Sequence, residues 1–173
     1  MPLNKPITLK KNGNQYDTIE FMKQIAYQNA NDPFYKNYIK RNNLIGSPSD
    51  LSKIFHDIFY KTNYKKDPEG IQQIRTGTRL LKEGIGNCVD YSVIFSSFLL
   101  NLGIPHKFRM ISTDRNRPNA FSHIYLVTDS GIVMDAVIGQ DQNGFEYKKN
   151  KNQRTPFFNT EANYIKKFDL KVL

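Results

Sequence analysis

The sequence predicts an α+β domain, on three observations. The first half carries apolar residues at helical spacing: Leu51, Ile54, Phe55, Ile58 and Phe59 fall at i, i+3, i+4, i+7 and i+8. A mostly apolar run from Val89 to Leu102 is long enough for a buried helix and stops at Gly103 and Pro105. From Lys107 onward the pattern changes to period two, the mark of strands.

Taken in order, residues 1–16 are polar, with two prolines and a glycine, and read as an arm rather than as core. Asp17-Thr18 is placed to cap a helix from Ile19 to Asn29, with Ile19, Phe21, Met22, Ile25 and Ala26 on one face. Asn31-Asp32-Pro33 breaks it and starts a short helix through Tyr35, Tyr38 and Ile39. Ser49 or Asp50 caps the next helix, which carries His56 beside its apolar face, in no functional setting. Tyr64 to Gly70 is a turn, and Ile71 to Leu81 leads to the central helix. Lys107–Ser112, Phe121–Thr128 and Ile132–Val137 are strands, and Tyr164–Leu173 closes the chain as a final one. Lys148 to Arg154 is a solvated basic loop.

The chain has 173 residues, which is enough for one domain with a substantial core. A single cysteine excludes an intramolecular disulfide, and with it a secreted disulfide scaffold. No apolar stretch is long enough to span a bilayer, and none near the start resembles a signal peptide. The formal charge of +9 would suit an anionic partner. However, Lys and Asn each occur 18 times, as codon drift in an AT-rich genome would produce, and the basic residues are spread evenly. Specific nucleic-acid binding is therefore not expected.

The chemistry centres on Gly86-Asn87-Cys88. Gly84 and Gly86 break the chain just before the central helix, Asn87 suits its N-cap, and Cys88 is then the first helical residue. A thiol there sits among unpaired backbone N–H groups at the positive end of the helix dipole, the setting that activates a cysteine nucleophile. A lone cysteine near an apolar helix is more often a small buried hydrophobe. His123 and Asp135, in successive strands, change that balance. A cysteine that transfers acyl groups needs a base for its proton and a third group to orient the imidazole. If Asp129-Ser130-Gly131 forms a three-residue loop, Thr128 pairs with Ile132 and Tyr125 with Asp135. His123 then lies diagonal to Asp135 on one face. A two-residue loop would put Asp135 on the other face. Asp135 also stands in an apolar strand, where a carboxylate needs a partner. His106, after Pro105, lacks such a setting. One Cys and three His at no recognised spacing make a zinc site a poor competitor, and no cofactor is expected.

These motifs resemble the transglutaminase-like cysteine peptidase superfamily, whose core is papain-like. The family's pattern is Gly-Asp-Cys opening a central helix, a histidine in a following strand and an aspartate in the next. Here it falls on Gly86-Asn87-Cys88, on Ser122-His123-Ile124-Tyr125 and on Val133-Met134-Asp135. The approach through Tyr64–Gly70 and Gln72–Leu81, and Gly103-Ile104-Pro105 after the helix, are similar too. The resemblance divides a single domain, 1–173, into an N-terminal helical extension (1–48), a catalytic core (49–138) and a C-terminal extension (139–173). Its closest flavour is the small proteins of this kind encoded by bacteriophages and prophages, which implies a cytoplasmic or virion-associated place. One departure is Asn87, where the family usually has aspartate: the cap is kept, but any charge is lost or passed to Asp90.

The resemblance implies that Cys88 attacks an amide carbonyl to give a thioester, with His123 as general base and acid and Asp135 orienting it. The backbone N–H of Cys88 supplies one oxyanion donor, and Gln72 or Gln73 the second. The acceptor is water or an amine; hydrolysis is preferred because nothing identifies an amine-binding site. The substrate would be a peptide or protein, a cell-wall peptide among the candidates. The alternative is a structural or virion-assembly protein that keeps the fold and uses its extensions to bind other virion proteins.

Overall fold

A computed structural model describes residues 7–9, 14–68, 72–140 and 155–173. The chain is α+β, as expected. Strand β1 (Ile7–Leu9) is followed by three helices, α1 (Gln15–Asn29), α2 (Pro33–Arg41) and α3 (Pro48–Lys61). Each opens on a residue whose side-chain oxygen takes a free backbone N–H of the first turn: Asn14, Asp32 and Ser47. Two of these caps correct the expected starts. α1 begins two residues ahead of Asp17, because Asn14 accepts from the Asp17 N–H. α3 is capped by Ser47 rather than Ser49 or Asp50: Pro48 takes the first helical position, and Asp50 reaches back to the Ser47 N–H as the other half of a capping box.

Short strands β2 (Asn63–Tyr64) and β3 (Gln72–Ile74), helix α4 (Gly77–Glu83) and strand β4 (Ile85–Gly86) lead to the central helix α5 (Cys88–Leu102). Every residue of α5 from Val89 to Leu99 is buried, as suits a mostly apolar helix, and its Asp90, Ser92, Ser96 and Ser97 are buried with it. It ends at Gly103, whose φ of +67° a residue with a side chain rarely adopts. α1 packs against it from one side and the main sheet from another.

That sheet is antiparallel, in the order β7-β6-β5-β8, from β5 (His106–Ser112), β6 (His123–Thr128), β7 (Val133–Met134) and β8 (Lys166–Lys171). One face, with Phe108, Met110, Ile124, Leu126 and Met134, joins the core around α5. The other, with Ile111, Tyr125, Val127 and Val133, carries a second cluster under Ala162 and Phe157. β8 is anchored there by Arg109, which grips Asp169 with two hydrogen bonds of 2.8 and 2.9 Å and Glu161 with one of 2.7 Å. The extensions are thus built into the fold: α1 packs on the central helix, and β8 completes the sheet.

Three expected strands are shorter than the sequence suggests, β8 by two residues at each end. β6 starts at His123 because Gln15 takes both backbone groups of Phe121. β7 ends at Met134 because the Asp135 carboxylate accepts the Val137 N–H and the chain turns through Ala136–Gln140. The expected basic loop, 148–154, lies outside the described residues.

Candidate active site

The β6–β7 connection sets the geometry. Leu126 pairs with Met134 and Val127 with Val133, the register of a three-residue loop with Gly131 at φ +93°. That register brings His123 and Asp135 together. His123 Nε2 lies 2.5 Å from Asp135 Oδ2, and the second carboxylate oxygen accepts the Val137 N–H at 3.1 Å. Asp135 therefore has both oxygens engaged, and the imidazole is held by one edge.

Cys88 acts on the same ring: its side chain is a hydrogen-bond and charge partner of His123. With Nε2 turned to Asp135, Nδ1 is the ring nitrogen that the carboxylate leaves over. Burial alone would push the imidazole down, but the Asp135 carboxylate and then Cys88 outweigh it, and His123 is raised from 6.5 to about 10. His123 is thus a buried cation at neutral pH, between a carboxylate and a sulfur. Cys88 itself is half-buried and borders a cleft of about 170 Å³ together with His123 and Gln72, so it is not sealed in the core.

The start of α5 is fixed by charge as well as by its cap. Asn87 Oδ1 accepts from the N–H groups of Val89 and Asp90 at 3.0 and 3.1 Å. Asp90, wholly buried, accepts from the Asn87 N–H at 3.0 Å and from Arg75 Nη1 at 2.9 Å. Burial pushes its carboxyl up to about 6, against the pull of those donors. Arg75 also pairs with Glu83 at 2.9 Å and Asp67 at 3.3 Å. Asp67 in turn accepts from Asn87 Nδ2 at 2.8 Å and from the Gln73 N–H at 2.7 Å. One connected network therefore ties the strand carrying Gln72 to the residue before Cys88.

Both glutamines touch the supporting network: Gln72 Nε2 donates to Asp67 Oδ2 at 3.4 Å and to the Gln73 carbonyl at 3.3 Å, and Gln73 Oε1 accepts from Arg75 at 3.4 Å. Of the two, Gln72 also lines the cleft with Cys88. His106 is fully buried, with its ring held by Ser96 Oγ at 2.7 Å and the Ile104 carbonyl at 2.8 Å, a core histidine. His56 is bonded to the Ser52 carbonyl on its own helix. Among the described residues no cluster of three His, Cys, Asp or Glu side chains is placed to hold a metal ion, and no helix is long and apolar enough to cross a membrane. Sequence reasoning missed Asp67, Arg75 and Gln15. The first two stand in what reads as an ordinary turn and approach segment, and Gln15 in a polar arm; none has a spacing signal.

No family model and no curated protein matches this chain. Among solved structures, a "putative cysteine protease" from Cytophaga hutchinsonii is similar at 15% identity and a TM-score of 0.38, over 73% of this chain and 40% of that one.

Proposed function

We propose that the protein is a transglutaminase-like cysteine hydrolase with a papain-like core, acting on an amide in a peptide or protein substrate. The observation that supports it is that one imidazole, His123, has both Cys88 and Asp135 as side-chain partners. The His123 cation is the electrostatic partner that a Cys88 thiolate requires. The sulfur attacks the carbonyl carbon, and the charge that develops on oxygen is met by the Cys88 N–H and Gln72. The C–N bond then breaks as His123 gives its proton to the departing amine, leaving a thioester. Water adds next: His123 takes its proton, a C–O bond forms and the C–S bond breaks. The acid leaves and the thiolate–imidazolium pair is restored. Asp135 keeps Nε2–H engaged so that Nδ1 serves both steps.

The test is the rate of alkylation of the single thiol against pH, followed by intact-protein mass. Fast labelling that persists well below the ordinary thiol pKa of about 8.5 is expected. A cysteine labelled only after unfolding would overturn the reading. Cys88→Ala should abolish activity and leave the melting temperature within a few degrees of wild type.

A further inference from the structure

The cleft beside Cys88 has a composition that its catalytic residues do not explain. Besides Cys88, Gln72 and His123, its apolar lining is Met22 from α1, Val89 from α5, Met110 from β5, Phe121 ahead of β6 and Ile124 from β6, and its uncharged polar lining is Gln15, Thr18 and Ser122. No Asp, Glu, Lys or Arg borders it among the described residues, although the chain carries a formal charge of +9. The net charge would suggest an anionic ligand, but the cation at the cleft, His123, is already held by Asp135 and Cys88. Its volume of about 170 Å³ compares with the roughly 150 Å³ of an apolar cavity that holds a benzene ring.

The wall is built, not incidental. Gln15 donates from Nε2 to the Phe121 carbonyl at 2.7 Å and accepts the Phe121 N–H at 3.2 Å. Tyr16 sets its ring edge-on to that of Phe121, centroids 6.2 Å apart. The first turn of α1 is thereby clamped to the segment that leads into His123, which holds Thr18 and Met22 over the cleft.

We propose that this cleft is a specificity pocket for one uncharged, apolar side chain of leucine to phenylalanine size on the acyl part of the substrate. The inference rests on Cys88 being the nucleophile. The acyl part is the one served, because it stays on sulfur through both half-reactions while the amine leaves after the first. Helix α1 thus shares in substrate selection.

The experiment compares acetyl-Leu, acetyl-Phe, acetyl-Glu and acetyl-Lys chloromethyl ketones on the full chain, with iodoacetamide as reference, by intact mass. In each case sulfur forms a C–S bond and halide leaves. The Leu and Phe probes should label faster than the Glu and Lys probes by about tenfold or more, relative to iodoacetamide. Thr18→Trp, which fills the pocket, should lower the Leu-to-iodoacetamide ratio by a similar factor. Thr18→Lys should raise the Glu-probe ratio. Equal ratios for all four probes, on a thiol that iodoacetamide labels readily, would overturn the pocket and leave the nucleophile standing. Labelling by no reagent would overturn both.

Discussion

His123 and Asp135 form a 2.5 Å contact between side chains that are almost shut from water, 4% and 1% exposed. The carboxylate is what holds the buried imidazole charged, since burial alone acts the other way. Asp135→Asn keeps the shape and removes the charge. His123 should then be neutral near pH 7, and thiol labelling below about pH 8 should slow by at least tenfold, with the rate above pH 9 nearly unchanged. Superimposable pH–rate profiles for the two proteins would show that Asp135 does not govern the site.

The same pair makes a stability prediction. His123 is raised from 6.5 to about 10 on folding, so the folded state binds the proton more tightly. The stabilisation is fully present below pH 6.5 and is lost as pH rises through 10. Urea denaturation at intervals from pH 6 to 10 should show wild type losing more stability across that window than His123→Gln, which cannot titrate. Parallel curves would mean that the histidine is not charged in the folded protein.

Much of this arrangement is legible in the sequence because it depends on local patterns. Asn87, Cys88 and Gly103 mark the ends of a mostly apolar helix, and a three-residue loop ending at Gly131, once granted, puts His123 and Asp135 on one face by parity. What is not legible depends on contacts between distant segments. Gln15 reaches Phe121, and Asp67 reaches Asn87, across long stretches of chain with no periodicity to announce them. The late start of β6 has the same origin, since Gln15 takes both backbone groups of Phe121, whereas β7 is cut short locally, by Asp135 accepting the Val137 N–H two residues on.

Arg75 should be the costliest single side chain to remove near the site. It is paired with Asp67, Asp90 and Glu83, and two of these carboxylates are 7% exposed or less at the side chain. Arg75→Met leaves Asp90 buried without its cation, and the expected loss is about 3–5 kcal/mol. The deficit should shrink on acidification, because protonating Asp90, whose carboxyl already stands up at about 6, removes the unpaired charge. A loss below about 1 kcal/mol at pH 7 would place the cluster among ordinary surface pairs.

Gln72 and Gln73 give a paired prediction. Only Gln72 borders the cleft with Cys88. On any amide or ester substrate that Cys88 turns over, Gln72→Ala should lower kcat by about 10²–10³-fold, the usual effect of losing one oxyanion donor. Gln73→Ala should act on stability through Arg75 instead. Equal effects of the two on kcat would remove Gln72 from that role.

Asn87 is the residue at which the sequence departs from the pattern it otherwise follows, and the structure gives that departure a use. Its carbonyl oxygen caps α5, while its amide donates to Asp67 Oδ2 at 2.8 Å. Aspartate would cap as well, since only an oxygen is needed there. It would also replace the donor by a second acceptor facing a carboxylate that is 7% exposed, with Asp90 close by. Asn87→Asp should therefore destabilise the fold at pH 7 by about 1–3 kcal/mol, the cost of a buried group left without its partner. Like charge raises the new carboxyl, so its penalty is present above that raised value and relieved as pH falls through it. Urea midpoints at pH 7 and pH 5 should show the gap to wild type closing in acid. Asn87→Ser, which keeps a capping oxygen and adds no charge, should show no such convergence. Equal midpoints for Asn87→Asp and wild type at pH 7 would mean that the Asn87–Asp67 bond contributes nothing, and that the start of α5 is held by the capping oxygen at position 87 with Arg75 and Asp90.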